Sequence, residues 1–374
     1  MKKTVFIYTF FTMVIITVSI ILLIIRQNSP RELQISIYNQ WNDSFVRKIA
    51  RGKKSYINTK NTKNTNIVLS EAQGYGMLIA TEESYGDSKT AQKTFDRLDN
   101  YYLSNRYAKT NLMSWKQIIS KNTNHIKKYR NNATDGDLYI AYSLIKAAKR
   151  WPQKAFYYKK QAKLLLRDIL KCNYNSTTGS LMVGNWASGT KYANLLRTSD
   201  VLPGQFEQFY RFTGDKSWLR IKNNMLSSLV KLSKEHKTGL IPDMAWIKKD
   251  GSVVNVGNKS NFGKYNYCYY YNACRLPYNL SQSDDTKSKQ VLHKMMKFFM
   301  SREYIAGGYT LSGHQLSNFQ SASFGAPIFY AAKNSQKYNK LIQMEKYIFM
   351  QKLETDNYYQ SVLVTLASEK FEKN

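Results

Sequence analysis

Glu71 stands just ahead of two glycines in the stretch Ser70-Glu71-Ala72-Gln73-Gly74-Tyr75-Gly76-Met77. Ser70 reads as a helix N-cap and Glu71 as a first-turn carboxylate, with apolar Met77, Leu78 and Ala80 following. A glutamate in that place complements the helix dipole. Each glycine, however, costs about 1 kcal/mol against alanine inside a helix, so a plain helix start leaves Gly74 and Gly76 unexplained. Bare backbone there would let a bulky ligand approach beside the carboxylate, and Tyr75 adds an aromatic face with a polar tip. A second acidic pair, Asp135 and Asp137, flanks Gly136. Thr134 or Asp135 caps the helix behind it, whose Leu138, Ile140, Ala141, Leu144 and Ile145 face a core. Carboxyl groups at two helix mouths are what general acid–base chemistry requires; ordinary capping is the competing reading.

Aromatic and amide residues gather in the loops. Trp115 lies in LMSWK, and Trp186, Tyr192, Ser199 and Asp200 lie in the stretch before Leu202. Asp243 and Trp246 follow, and five tyrosines precede Asn272 and Arg275. Rings on loops above helices make stacking platforms for sugars; ordinary aromatic packing is the alternative for any single ring.

Six segments, SEAQGYGM, LMSWK, ATDGDLYIAYSLIKA, TSDVLPGQFEQFYRFTGDKSW, GLIPD and YNACRLPYNL, resemble the ordered motifs of glycoside hydrolase family 8, from about residue 35 to the C-terminus. The resemblance implies an (α/α)6 barrel of six inner and six outer helices with a substrate cleft across one end. It also implies an inverting endo-acting hydrolase of β-linked glycans such as cellulose, mixed-linkage glucan, chitosan or xylan. Glu71 then takes the general acid's place, and the two glycines let the sugar chain lie close beside it. Asp135 takes that of the aspartate holding the distorted central sugar, and Trp115 that of a stacking tryptophan. Tyr75, Trp186, Tyr192, Ser199, Asn272 and Arg275 are the further substrate-binding candidates.

The chain departs from the family at one place. Many members carry their general base as the aspartate of Y-D-A-x-R-x-P; here the residues are Tyr271-Asn272-Ala273-Cys274-Arg275-Leu276-Pro277. Other members share the asparagine and use a glutamate from the preceding loop, but residues 248–271 contain none. Asp243 is the expected replacement base, with Asp250 and Asp135 as alternatives. A barrel without a base, which binds glycan in export or matrix organisation, is the alternative function.

Helical periodicity recurs near residues 71–84, 89–103, 136–150, 154–171, 203–212, 217–234, 273–281, 285–301, 323–333 and 335–351, with a hairpin around Asp250-Gly251. Strand–helix alternation is missing, which argues against a doubly wound sheet. Ten or more helices in roughly 335 residues imply an all-α domain over 31–374 of helical hairpins, stacked or closed in a ring.

Residues 4–25 carry no charge and follow Lys2 and Lys3, a length that crosses a bilayer core as a helix. No A-x-A cleavage site follows. Residues 1–30 thus read as a cytoplasmic tip and a single-pass anchor, with the catalytic domain extracellular; secretion after signal cleavage is the alternative. The net charge of +31, from 56 Lys plus Arg against 25 Asp plus Glu, suits an anionic cell-wall polymer as partner. It comes without a nucleic-acid-binding module. Cys172, Cys268 and Cys274 and the four scattered histidines form no metal or disulfide spacing, so neither metal nor cofactor is expected. A monomer acting on polysaccharide is the expected state.

Overall fold

The computed structural model describes residues 2–27, 29–82, 87–258 and 262–371. Among them, α1 (Lys2–Gln27) covers the uncharged run, and its side chains are described for residues 8–20, where Phe10, Phe11 and Ile15 are exposed. No helix among the described residues is long and apolar enough to cross a membrane. The two ends of the expected anchor lie outside the residues whose side chains are described.

The helices that follow α1 are α2 (Pro30–Phe45), α3 (Ser70–Ala80), α4 (Ser88–Ser104), α5 (Thr134–Arg150), α6 (Ala155–Asn173), α7 (Pro203–Thr213), α8 (Ser217–Glu235), α9 (Leu276–Leu280), α10 (Thr286–Met300), α11 (Ala322–Ala332), α12 (Asn339–Glu345) and α13 (Tyr358–Ser368). Their contacts define the architecture. α3 touches α5, α5 touches α7, α7 touches α9, α9 touches α11, α11 touches α13, and α13 returns to α3. This closed ring is the inner layer. Each inner helix is backed by one outer helix: α4 on α3, α6 on α5, α8 on α7, α10 on α9, α12 on α11 and α2 on α13.

The sequence carries this division. Inner helices such as α3 and α11 are buried on all sides: every residue from Ala72 to Ala80 is buried, as is every residue from Ser323 to Ala332. Outer helices such as α8 and α10 bury one stripe, Trp218, Ile221, Met225, Leu229 and Leu232 in the former, and leave lysines outside. The (α/α)6 barrel expectation is met by this ring. The helix expected at 335–351 is instead α12 flanked by two 3-10 turns, and the end of the one expected at 71–84 lies outside the described residues.

Among the described residues the connections also carry four small sheets, of which only the hairpin around Asp250-Gly251 was expected; two of them matter to the site. β4 (Thr65–Leu69) runs directly into α3 and pairs antiparallel with β3 (Lys60–Asn61) on one side and β5 (Lys116–Ser120) on the other; β5 pairs with β6 (Ile126–Lys128). β10 (Met244–Ile247) pairs with β9 (Leu195–Arg197) and, through the expected hairpin, with β11 (Val253–Asn255). The first sheet fixes where α3 begins. The second delivers Arg197 and Asp243 to the same end of the barrel.

Candidate active site

The starts of α3 and α13, the segment before α9 and the end of β9 meet at a cavity of about 390 Å³ lined by Glu71, Arg197, Tyr271, Asn272, Arg275, Asn357 and Tyr359. Four of these, Arg197, Tyr271, Asn357 and Tyr359, were not among the candidates. Arg197 ends β9. Asn357 and Tyr359 come from the start of α13, a helix whose apolar, unstriped sequence gives no periodic signal.

Glu71 lies in the first turn of α3. Ser70 is not its cap: the N-cap position is Leu69, without a side-chain cap. The Ser70 amide instead donates to the Trp115 carbonyl at 3.0 Å, which ties α3 to the strand after Trp115. The two glycines do not open space for a ligand. A Cβ at Gly74 would stand 2.7 Å from the Tyr139 Cβ and 3.0 Å from the Gly136 carbonyl; one at Gly76 would stand 2.6 Å from the end of Ile57. Both serve close packing, Gly74 against α5 and Gly76 against β2 (Lys54–Ile57). That packing sets the first turns of α3 and α5 side by side, and so Glu71 beside Asp135.

Asp135 is likewise not a cap; the N-cap position of α5 is Ala133. One Asp135 oxygen accepts its neighbour Gly136 N–H at 2.9 Å and the Arg197 guanidinium at 2.9 Å. Arg197 also forks onto Asp200, at 2.7 and 3.1 Å. Arg275 gathers the rest. Its Nη1 donates to Glu71 Oε1 and, at 3.1 Å, to the Tyr75 hydroxyl. Its Nη2 donates to Ser199 Oγ at 2.8 Å and to Asn272 Oδ1 at 2.9 Å. Its ring neighbour is Tyr359, with the guanidinium carbon 5.8 Å from the centroid.

These contacts set the protonation states. Burial pushes the Glu71 carboxyl up to about 7; the Arg275 charge opposes this, while Asp135, in side-chain hydrogen-bond contact, reinforces it. Burial also acts on Asp135, but Arg197, Arg275 and the bond from Glu71 outweigh it and hold Asp135 below the usual carboxylate range. Two adjacent carboxyl groups whose environments separate their titrations give one proton donor and one anion near neutrality. Glu71 is therefore equipped to donate a proton to a ligand in the cavity, where its side chain is 18 % exposed.

The other candidates divide. Tyr75 is buried, in tilted contact with the Tyr139 ring at 4.4 Å, and its hydroxyl accepts from Arg275, so it supports Arg275 and offers no face to a sugar. Ser199 is also buried and accepts from Arg275. Trp115 is half-buried in edge contact with Tyr129. Trp186 is 40 % exposed and packs on Tyr192, which stacks on Trp246; these three rings do not line the cavity that holds Glu71.

Asp243, the expected base, is placed otherwise. It is 1 % exposed and does not line the cavity. One oxygen accepts the Tyr270 and Ala273 amides at 2.9 and 2.8 Å, the other the Asn272 amide and side chain at 3.0 and 3.2 Å. Its carboxylate pins the turn that presents Asn272 and Arg275, and no lone pair is left for a water in the cavity. Asp250 is bonded to Ser252 in an exposed turn. Among the described residues no His, Cys, Asp or Glu group could hold a metal ion.

Comparison with known proteins bears on the family and the fold. Residues 30–371 match the model of the glycosyl hydrolases family 8. The chain is 28 % identical over 274 residues to a β-glucanase of Niallia circulans, which covers 71 % of this chain and 64 % of that protein. It is 31 % identical over 267 residues to an endoglucanase of Bacillus sp. (strain KSM-330), covering 68 % and 55 % respectively. The match thus spans under two thirds of either relative. In fold it is similar to the apo β-1,3-1,4-glucanase from Paenibacillus sp. X4, with a TM-score of 0.82 at 24 % identity over 91 % of this chain and 92 % of that one.

Proposed function

The chain belongs to glycosyl hydrolases family 8, and we propose that it hydrolyses β-linked polysaccharide by inversion, with Glu71 as general acid. The observation that carries this is Glu71 at the wall of the cavity, pushed up to about 7, with an ionised, buried Asp135 beside it. Glu71 donates its proton to the glycosidic oxygen as the bond to the anomeric carbon breaks; a water enters from the opposite face of the ring. Asp135, fixed by Arg197, holds the sugar at the cleavage point. The relatives named as β-glucanase and endoglucanase favour a β-glucan.

The anchor enters this reading as well. The uncharged residues 4–25 behind Lys2 and Lys3 support a tether with the barrel outside the cell, and the charge of +31 supports retention at an anionic wall polymer. Release of new reducing ends from mixed-linkage glucan, carboxymethyl cellulose, xylan and chitosan tests the activity and names the polymer. Binding to a polymer without cleavage of any would favour the non-catalytic reading that Asn272 keeps open.

A further inference from the structure

An inverting hydrolase needs a second carboxylate to take a proton from the attacking water. The carboxylates named so far are committed elsewhere. Asp135 and Asp200 are held by Arg197, Asp243 by three backbone amides and Asn272, and Asp250 by Ser252. Asn272, at the family's usual position for the base, is an amide whose oxygen accepts from Arg275.

Among the described residues, one further carboxylate bonds to a residue of the cavity wall. Glu354 lies in the connection from α12 to α13. Its Oε2 accepts the Asn357 side-chain amide at 3.0 Å, and Asn357 lines the cavity that contains Glu71. Tyr271 and Tyr359 also line it, with ring centroids 5.8 Å apart. The Tyr271 hydroxyl is raised chiefly by burial, and the Glu354 charge contributes to the rise, which places that charge within electrostatic reach of the cavity. Glu354 is exposed and has one partner bonded through one oxygen, which leaves lone pairs for water. The same connection holds the turn together: the Glu354 carbonyl accepts the Ser361 hydroxyl at 2.6 Å, and Asn357 Oδ1 caps α13 through the Gln360 amide at 3.2 Å.

We propose that Glu354, oriented by Asn357 at the mouth of the cavity, is the general base that Asn272 cannot be. This inference rests on the hydrolase reading above. In the step, the Glu354 carboxylate takes one proton from water as the water oxygen bonds to the anomeric carbon. The bond from that carbon to the leaving oxygen breaks, and the leaving oxygen takes the Glu71 proton. Glu354 ends protonated and Glu71 ionised; exchange with solvent restores both, and one water is consumed per bond.

The test compares wild type, Glu354→Gln, Asp356→Asn and Glu71→Gln on the polymer that wild type cleaves, with and without sodium azide. The side-chain amide introduced by Glu354→Gln keeps an oxygen for Asn357, so the turn is preserved. Loss of a general base costs about 10²–10⁴-fold. We expect that fall in kcat for Glu354→Gln with KM near wild type. Azide, which attacks without needing a base, restores turnover and gives an α-glycosyl azide from Glu354→Gln alone; Asp356→Asn stays at the wild-type rate. Glu354→Gln within threefold of wild type, or a loss that azide leaves unchanged, overturns the assignment. If Glu71→Gln is inactive in the same experiment, the hydrolase reading stands whichever way Glu354 falls; if Glu71→Gln is fully active, that reading fails with it.

Discussion

Gly136 lies so close against Glu71 that a Cβ at residue 136 would stand 2.7 Å from the Glu71 amide nitrogen and 2.2 Å from the Ser70 hydroxyl oxygen. The acid and its anionic neighbour Asp135 meet because α3 and α5 approach with no side chain between their first turns. Gly136→Ala therefore forces the helices apart where the chemistry sits. Overpacking of this kind costs about 1–3 kcal/mol, and a displacement near 1 Å in the site costs on the order of 10²-fold in rate. Gly76→Ala meets the Ile57 side chain at Cγ1 and Cδ1 and the edge of Trp41, and residue 76 does not line the cavity. Urea unfolding and kcat measured on both variants should show losses in stability and rate for Gly136→Ala and a rate near wild type for Gly76→Ala.

The pH profile follows from the Glu71 environment. A general acid must be protonated, and burial with a negative Asp135 pushes Glu71 up to about 7. kcat/KM should hold below pH 7 on this side of the profile and fall tenfold per pH unit well above it. Asp135 raises Glu71, so Asp135→Asn lowers the Glu71 pKa and shifts the alkaline limb to lower pH in whatever activity remains. An alkaline limb unmoved by Asp135→Asn would contradict the coupling of the two groups.

Asp243 was expected to border the cleft, and the structure buries it against the backbone amides of Tyr270, Asn272 and Ala273. Its position in GLIPD suggested a carboxylate bordering the cleft; nothing in the spacing showed that three amides 27 to 30 residues later would close on it. Asp243→Asn replaces one acceptor oxygen with a donor facing a donor, and an unsatisfied buried group costs about 1–3 kcal/mol. The expected result is a lower urea midpoint together with lost activity, while Asp250→Asn changes neither. A variant Asp243→Asn as stable as wild type but inactive would return Asp243 to the role of base.

The barrel was legible because outer helices such as α8 and α10 carry an apolar stripe and because the six motifs fall in order. α13 was not, since its YYQSVLVTLAS is buried on almost every side and shows no stripe. With it went Asn357 and Tyr359, which it brings to the cavity wall from far beyond Glu71 in the chain. The glycines after Glu71 were noticed for the right reason, their cost in a helix. Their meaning was in the neighbouring helix and strand, which spacing along one chain segment does not reveal. Tyr75 illustrates the same limit: a tyrosine between glycines reads as an exposed platform, and only the fold shows it buried under Arg275.

The most direct test of Glu71 as the acid is the hydrolysis rate of Glu71→Gln on the polymer that wild type cleaves, with thermal unfolding of both proteins measured alongside. The amide keeps the shape of the carboxyl and can still meet Arg275 through its oxygen, but it has no acidic proton to give. The expected result is a folded variant whose rate is lower by about 10²–10⁴-fold. A folded Glu71→Gln that turns over within tenfold of wild type would contradict the assignment.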